Sequence, residues 1–254
     1  MTALPSRREP APAPDGTARH RAGAVRRAPA ERRRLGVLVT AELVLTASVL
    51  VLLYLGWYLV VDDRVAAHRQ TSSATDLERA WDAAPAPSPV PEASAPRTGE
   101  AFATIRVPRF GADWRRMVVE GTDVEELARG VGHYTGSALP GQVGNFAVAG
   151  HRLTHGSAFT EIDRLRDGDV VGVRTAGTWF VYRVTGHEIV EPRQVDVVAA
   201  VPGEPGVAPT RALMTLTSCH PLYGSSQRYV VHAALDRTQP AADGVPVELR
   251  EAVR

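Results

Sequence analysis

Hydrophobic positions fall into two regimes along this chain. From Leu35 to Val61 they run almost unbroken, with Glu42 the one charged residue, and Leu43–Val61 gives 19 residues without a charge. At ~1.5 Å rise per residue that length nearly spans the ~30 Å hydrocarbon layer of a bilayer, so the pattern predicts a transmembrane helix over 35–61. Tyr54, Trp57 and Tyr58 cluster near its far end, where an interfacial aromatic belt would lie. A cleaved signal peptide has a shorter apolar core and a small-residue cleavage site, whereas here Asp62-Asp63 follow, so an uncleaved single-pass anchor is the better reading.

From about Phe102 the pattern changes to short apolar runs of strand length, separated by Gly and Pro. Strands are predicted at Ala103–Val107, Met117–Glu120, Asn145–Ala149, Val170–Arg174, Trp179–Val190, Ala212–Thr217 and Tyr229–Leu235, with Ala176-Gly177 as a hairpin turn. One short helix is predicted at Asp123–Arg129, capped by Thr122 or Asp123, and a further helical turn over Phe159–Leu165. Many closely spaced strands with few helices predict an all-β domain, a closed barrel or sandwich, over 101–237.

The remaining segments read as appendages. Residues 1–34 carry nine arginines against three acids and almost no large apolar side chains, which predicts a disordered basic tail. By the positive-inside rule that tail lies in the cytoplasm and everything after the helix lies outside the cell. Residues 62–100 read as a Pro/Ala-rich extracellular linker, with a short helix over 62–81 followed by an extended spacer. Residues 238–254 read as a loose C-terminal tail.

Net charge is +1, so with +6 in the first 34 residues the remainder carries about −5, which argues against a nucleic-acid partner. All 29 basic residues are arginine. The single cysteine, Cys219, excludes an internal disulfide, and an exported lone thiol needs a reason to be there. Cys219 ends the run Thr215-Leu216-Thr217-Ser218-Cys219 and precedes a turn, His220-Pro221; Arg228 follows nine residues later. His151 lies 68 residues upstream, at the end of Asn145–His151. A thiol, an imidazole and a permanent cation on strand ends supply a nucleophile, an acid/base and an oxyanion donor, the parts of a cysteine acyl-transfer site.

These residues carry a resemblance. Thr215–Cys219 resembles the T-L-x-T-C signature of sortases, with Ser218 where a threonine is usual. Arg228 stands where the sortase arginine does, and Ala149-Gly150-His151-Arg152 resembles the segment that holds the histidine. Gly132-His133-Tyr134-Thr135-Gly136, Pro140-Gly141 and Gly144-Asn145-Phe146 resemble class E sortases of high-GC Gram-positive bacteria. The resemblance covers about 102–237 together with the N-terminal anchor layout. It implies a closed β-barrel of about eight strands with one or two short helices. It also implies a transpeptidase that cleaves a sorting signal of L-A-x-T-G or L-P-x-T-G type between Thr and Gly. A thioacyl intermediate on Cys219 would then pass to a cell-wall precursor amine of lipid II type. On this reading His151 is the acid/base and Arg228 steadies the oxyanion or substrate. Tyr134, Thr217 and Ser218 line the substrate groove or bond the backbone beside it, and Tyr134 favours Ala at the signal's second position. The partners implied are secreted proteins bearing sorting signals.

No metal or organic cofactor is called for; Glu125, Glu126, Glu161 and Asp163 are the acids to watch for calcium. His133, His155, His187, His220 and His232 read as structural, with His155 the nearest rival to His151. Two other enzyme readings fit less well. L,D-transpeptidases carry His-Gly-Cys, absent here, and papain-like hydrolases place the cysteine before the histidine. A tethered binding module that has lost catalysis is the non-enzyme alternative.

Overall fold

The computed structural model describes residues 29–84 and 95–250. The chain divides into two compact units, Met1–Leu53 and Tyr54–Arg254. In the first, the described residues begin helix α1 (Pro29–Ala83), whose apolar side chains there are exposed. Two of its hydroxyls bond back to the preceding turn: Thr40 Oγ1 donates to Gly36 O at 2.9 Å and Ser48 Oγ to Val44 O at 2.8 Å. Such i−4 bonds hide hydroxyls from an apolar surround. The stretch Glu31–Trp57 is long and apolar enough to cross a membrane.

The second unit is a closed barrel of eight strands. They are β1 (Ala101–Arg106), β2 (Arg115–Glu120), β3 (Val131–His133), β4 (Gly144–Ala149), β5 (Val170–Arg174), β6 (Thr178–Val190), β7 (Ala212–His220) and β8 (Gln227–Pro240). Around the barrel the order is β1-β2-β3-β4-β7-β8-β6-β5, and β5 pairs back to β1. Only β2–β3 and β4–β7 are parallel pairs; the rest are antiparallel. Alternate residues point inward, so Phe146, Val148, Met214, Leu216, Val231 and Tyr182 form one apolar core. Each large side chain buried there stabilises the fold by ~1.5–3 kcal/mol. A short helix α2 (Val124–Arg129) joins β2 to β3, as the sequence predicts, and Ile162–Arg164 makes a 3-10 turn.

Three expectations need correction. First, β3 was not predicted: three residues are too short to show a period, and its parallel pairing to β2 depends on the preceding crossover. Second, residues 62–83 are not linker. They continue α1 without a break, and within the second unit they pack on the barrel. Ala74 is fully buried, and Glu78 accepts from Thr104 Oγ1 at 2.7 Å while pairing with Arg106 and, at 3.7 Å, with Arg115. Asp82 pairs with Arg174, and Arg116 donates to Thr71 at 2.8 Å. Basic side chains on β1, β2 and β5 thus hold acids of the helix, a match that helical periodicity alone does not reveal. Third, the C-terminal residues are not loose. β8 runs to Pro240, and Leu249 is buried with Val170, Trp179 and Val181. The disordered tail was expected over 1–34; residues 1–28 lie outside the described residues, and 29–34 belong to α1.

Candidate active site

The parallel pair β4–β7 brings the histidine and cysteine segments together. Ala149 stands opposite Thr217, and the ladder extends past the strand end, where Gly150 N donates to Thr217 O at 3.1 Å. Ser218 Oγ donates to Gly150 O at 2.8 Å. Gly150-His151 is therefore fixed beside Ser218-Cys219. A side chain at Gly150 would not fit, since a Cβ there would lie 2.6 Å from the Phe159 ring.

Register places the arginine. In the antiparallel pair β7–β8, Cys219 is the direct partner of Arg228. Met214 and Leu216 of β7 and Tyr229 and Val231 of β8 enter the core. The intervening residues, Thr215, Thr217 and Cys219 on one strand and Arg228 and Val230 on the other, face outward. Directly opposed residues on one face hold their Cβ atoms ~4.5–5.5 Å apart. Arg228 Nη1 donates to Ser225 O and Gln227 O, each at 2.9 Å, which turns the guanidinium over the β7–β8 turn. Its Nε and Nη2 find no acceptor among the described residues.

His151 is half-buried, and its Nε2 is buried with no protein partner. Its ring stacks on that of His155, centroids 5.0 Å apart at 29°. Burial, and then the neighbouring His155 charge, hold the His151 pKa below the usual histidine value of 6.5. Both causes favour the neutral imidazole at His151.

Tyr134 reaches the same face. Its hydroxyl lies 3.0 Å from Thr217 Oγ1, which itself donates to Val148 O at 3.3 Å, so Tyr134 supplies the proton between them. Beside Tyr134 a cavity of about 590 Å³ opens between the loop after β3 and the β6–β7 connection, lined by Ser137, Asn145, Val198, Ala199 and Pro209. Asn145 holds that connection in place, donating to Ala199 O at 3.0 Å and accepting from Thr215 Oγ1 at 2.9 Å. Ser218 does not join this face. The strand pleat turns it inward, where it is 3% exposed and bonded to Gly150, so it ties strands rather than lining a groove.

Sequence reasoning missed Arg152. Its side chain is buried behind β7, where Nη1 donates to Cys219 O at 3.2 Å and Nη2 pairs with Asp163 at 2.6 Å. The guanidinium also lies over the Tyr229 ring at 5.7 Å and bonds His220 Nδ1 at 3.3 Å. The signal was present in the sequence, because a basic residue next to a strand-end histidine alternates to the opposite side. Asp163 is accordingly a partner for Arg152. Among the described residues no three His, Cys, Asp or Glu side chains gather as metal ligands.

Residues 105–236 match the sortase domain. The chain is 34% identical over 243 residues to sortase SrtE2 of Streptomyces coelicolor, covering 90% of this chain and 94% of that protein. The chain belongs to the sortase family. Sortase SrtE1 of the same organism is 32% identical over 231 residues, covering 85% of this chain but only 63% of SrtE1. The solved sortase E of Streptomyces avermitilis is 43% identical and superposes with a TM-score of 0.56, covering 61% of this chain and 99% of that structure. These relatives make the chain a class E-like sortase, and sortases are cysteine transpeptidases. The eight-stranded closed barrel expected from the resemblance is the one observed.

Proposed function

We propose that this sortase cleaves a C-terminal sorting signal between Thr and Gly and joins the new carboxyl end to a cell-wall precursor amine. The observation that carries the reading is the cross-strand pairing of Cys219 with Arg228, with His151 delivered beside them by β4. In the first step the Cys219 thiolate attacks the threonine carbonyl carbon. Cys219 first gives its thiol proton to His151; the C–S bond then forms, the C–N bond breaks, and the departing glycine amine takes that proton from the imidazolium. In the second step the acceptor amine attacks the thioacyl carbon, gives its proton to His151 and releases the thiolate. Arg228, whose Nε and Nη2 have no acceptor among the described residues, donates to the oxyanion in both steps.

Tyr134 and Thr217 lie on the outer face that leads from the cavity to Cys219, and on this reading they contact the signal. Tyr134, tied through Thr217 to the nucleophile strand, narrows the groove for Ala rather than Pro at the second position. The apolar stretch Glu31–Trp57 anchors the enzyme in the membrane, with the Arg-rich N-terminus in the cytoplasm and the barrel outside.

The test uses the full chain in detergent micelles with L-A-x-T-G and L-P-x-T-G peptides and a glycine-bearing or diamino-acid amine, read by mass spectrometry. Cleavage after Thr with the amine joined, absent in Cys219→Ala, is the expected result. Water alone in the product would mark a hydrolase, and no cleavage of either peptide would sink the signal assignment.

A further inference from the structure

Between β4 and the 3-10 turn at Ile162, the chain leaves His151 and folds through a tight loop. Three consecutive residues there have left-handed backbones: His155 (φ 55°), Gly156 (φ 82°) and Ser157 (φ 47°). His155 and Ser157 bear side chains, and such conformations persist only where the surroundings over-determine them. Within the loop, Phe159 N donates to His151 O at 2.9 Å and Ser157 N to Thr154 O at 3.0 Å.

Thr160 Oγ1 adds bonds to Arg152 O at 2.7 Å and Ser157 O at 2.9 Å, and a further set of restraints comes from helix α1. Asp63 accepts from Gly156 N at 2.9 Å, and both its oxygens accept from Ser157 Oγ at 2.7 Å. One helical stretch further on, Gln70 Nε2 donates to His155 O at 2.7 Å and to Ala128 O at 2.9 Å, so it ties the loop to the end of α2. Gln70 is 3% exposed. The helix and loop meet so closely that a Cβ on Gly156 would lie 2.8 Å from Gln70 and 3.0 Å from the Ala66 backbone. Each of the three left-handed residues is therefore gripped by α1, and the ring of the first, His155, stacks on His151.

We propose that Asp63 and Gln70 are positioning residues for His151: the stem of helix α1 clamps the histidine loop and thereby sets the imidazole beside Cys219. The inference rests on the acid/base role given to His151 above. Neither residue reaches the candidate nucleophile, so each acts through the loop. Asp63 lies six residues past Trp57, the end of the apolar stretch, so the clamp begins almost where the anchor ends.

The experiment uses the full chain in micelles and four variants: Asp63→Ala, Asp63→Asn, Gln70→Ala and, as a control on the same helix, Asp82→Ala, which breaks the pair with Arg174. Misplacing a catalytic group by ~1 Å can cost on the order of 100-fold. Asp63→Ala and Gln70→Ala are expected to lower kcat by about tenfold or more, with KM changed less than about twofold. Asp63→Asn keeps an acceptor oxygen for Gly156 and Ser157 and should recover most of the rate. Asp82→Ala should leave both constants near wild type. Equal losses in Asp82→Ala and Asp63→Ala would reduce the effect to general helix docking and overturn the proposal, as would a wild-type kcat in Asp63→Ala.

A second readout needs no sorting signal. Iodoacetamide alkylation of Cys219 at pH 7 should slow in His151→Ala, and in Asp63→Ala by a similar factor. A wild-type rate in His151→Ala would overturn the histidine assignment itself. A slow His151→Ala beside a wild-type Asp63→Ala would overturn the clamp alone.

Discussion

Cys219 and Arg228 are direct partners across two antiparallel strands, so ladder hydrogen bonds hold their backbones in register while Ser225 O of the intervening turn receives the guanidinium. Such a site tolerates little change in the cation. Arg228→Lys substitutes a point charge for a planar fork. It is expected to lower kcat on the order of 100-fold, the loss seen when one oxyanion donor is removed. Cys219→Ala should abolish turnover. Steady-state kinetics with a sorting-signal peptide measure both, and a near-normal Arg228→Lys rate would remove Arg228 from the mechanism.

The pairing of His151 with His155 gives a titration prediction. Burial and the His155 charge both disfavour imidazolium at His151, so its midpoint lies below 6.5. His155→Asn removes the second cause and leaves the first. The His151 midpoint should therefore rise in that variant yet stay below 6.5. Side-chain NMR of labelled histidine reads both values; a midpoint unchanged by His155→Asn would deny the coupling.

Gly150 is a steric requirement that can be tested alone. Gly150→Ala would drive a methyl group into Phe159 and shift the segment that carries His151. Overpacking of this kind costs ~1–3 kcal/mol in stability, and the rate should fall further than the stability loss explains. Thermal unfolding and kcat, measured on one preparation, separate the two effects.

Asp163 balances a guanidinium that is 98% withdrawn from water on the far side of β7. Asp163→Ala leaves Arg152 buried with Cys219 O and His220 as its remaining partners. A loss of roughly 1–3 kcal/mol is expected, the cost of stranding a buried polar group. Asp163→Glu should restore part of it in urea denaturation, whereas an unchanged midpoint in Asp163→Ala would show that Arg152 is solvated.

Much of this arrangement was legible before any coordinates. Strand-length apolar runs announced seven of the eight strands, because residues buried on one face leave a period of two. Cys219, His151 and Arg228 stood out because strand ends and turns expose side chains that chemistry can use. What stayed hidden depends on long-range partners. β3 is defined only by its pairing with β2 on one side and β4 on the other. Nothing in the sequence marks Glu78 and Asp82 as the partners of Arg106, Arg115 and Arg174, which meet them across the fold. For Ser218 the signature leaves groove lining and a backbone bond both open, and strand alternation selects the second by sending it inward to Gly150 O. Arg152 shows the same rule from the other side, since its neighbour His151 takes the open face.

The parallel pairing of β4 with β7 also bears on when the enzyme becomes competent. Its partners, Ala149 and Thr217, are 68 residues apart in sequence. Contacts that close such long loops form late, because the entropy of closure precedes any reward from pairing. The hairpins of β5 with β6 and β7 with β8 can assemble from local contacts, but neither contains both the histidine and the cysteine. An unfolded chain therefore carries an isolated thiol until the barrel shuts, and Cys219 and His151 first meet at closure. Folding itself acts as the timer of reactivity.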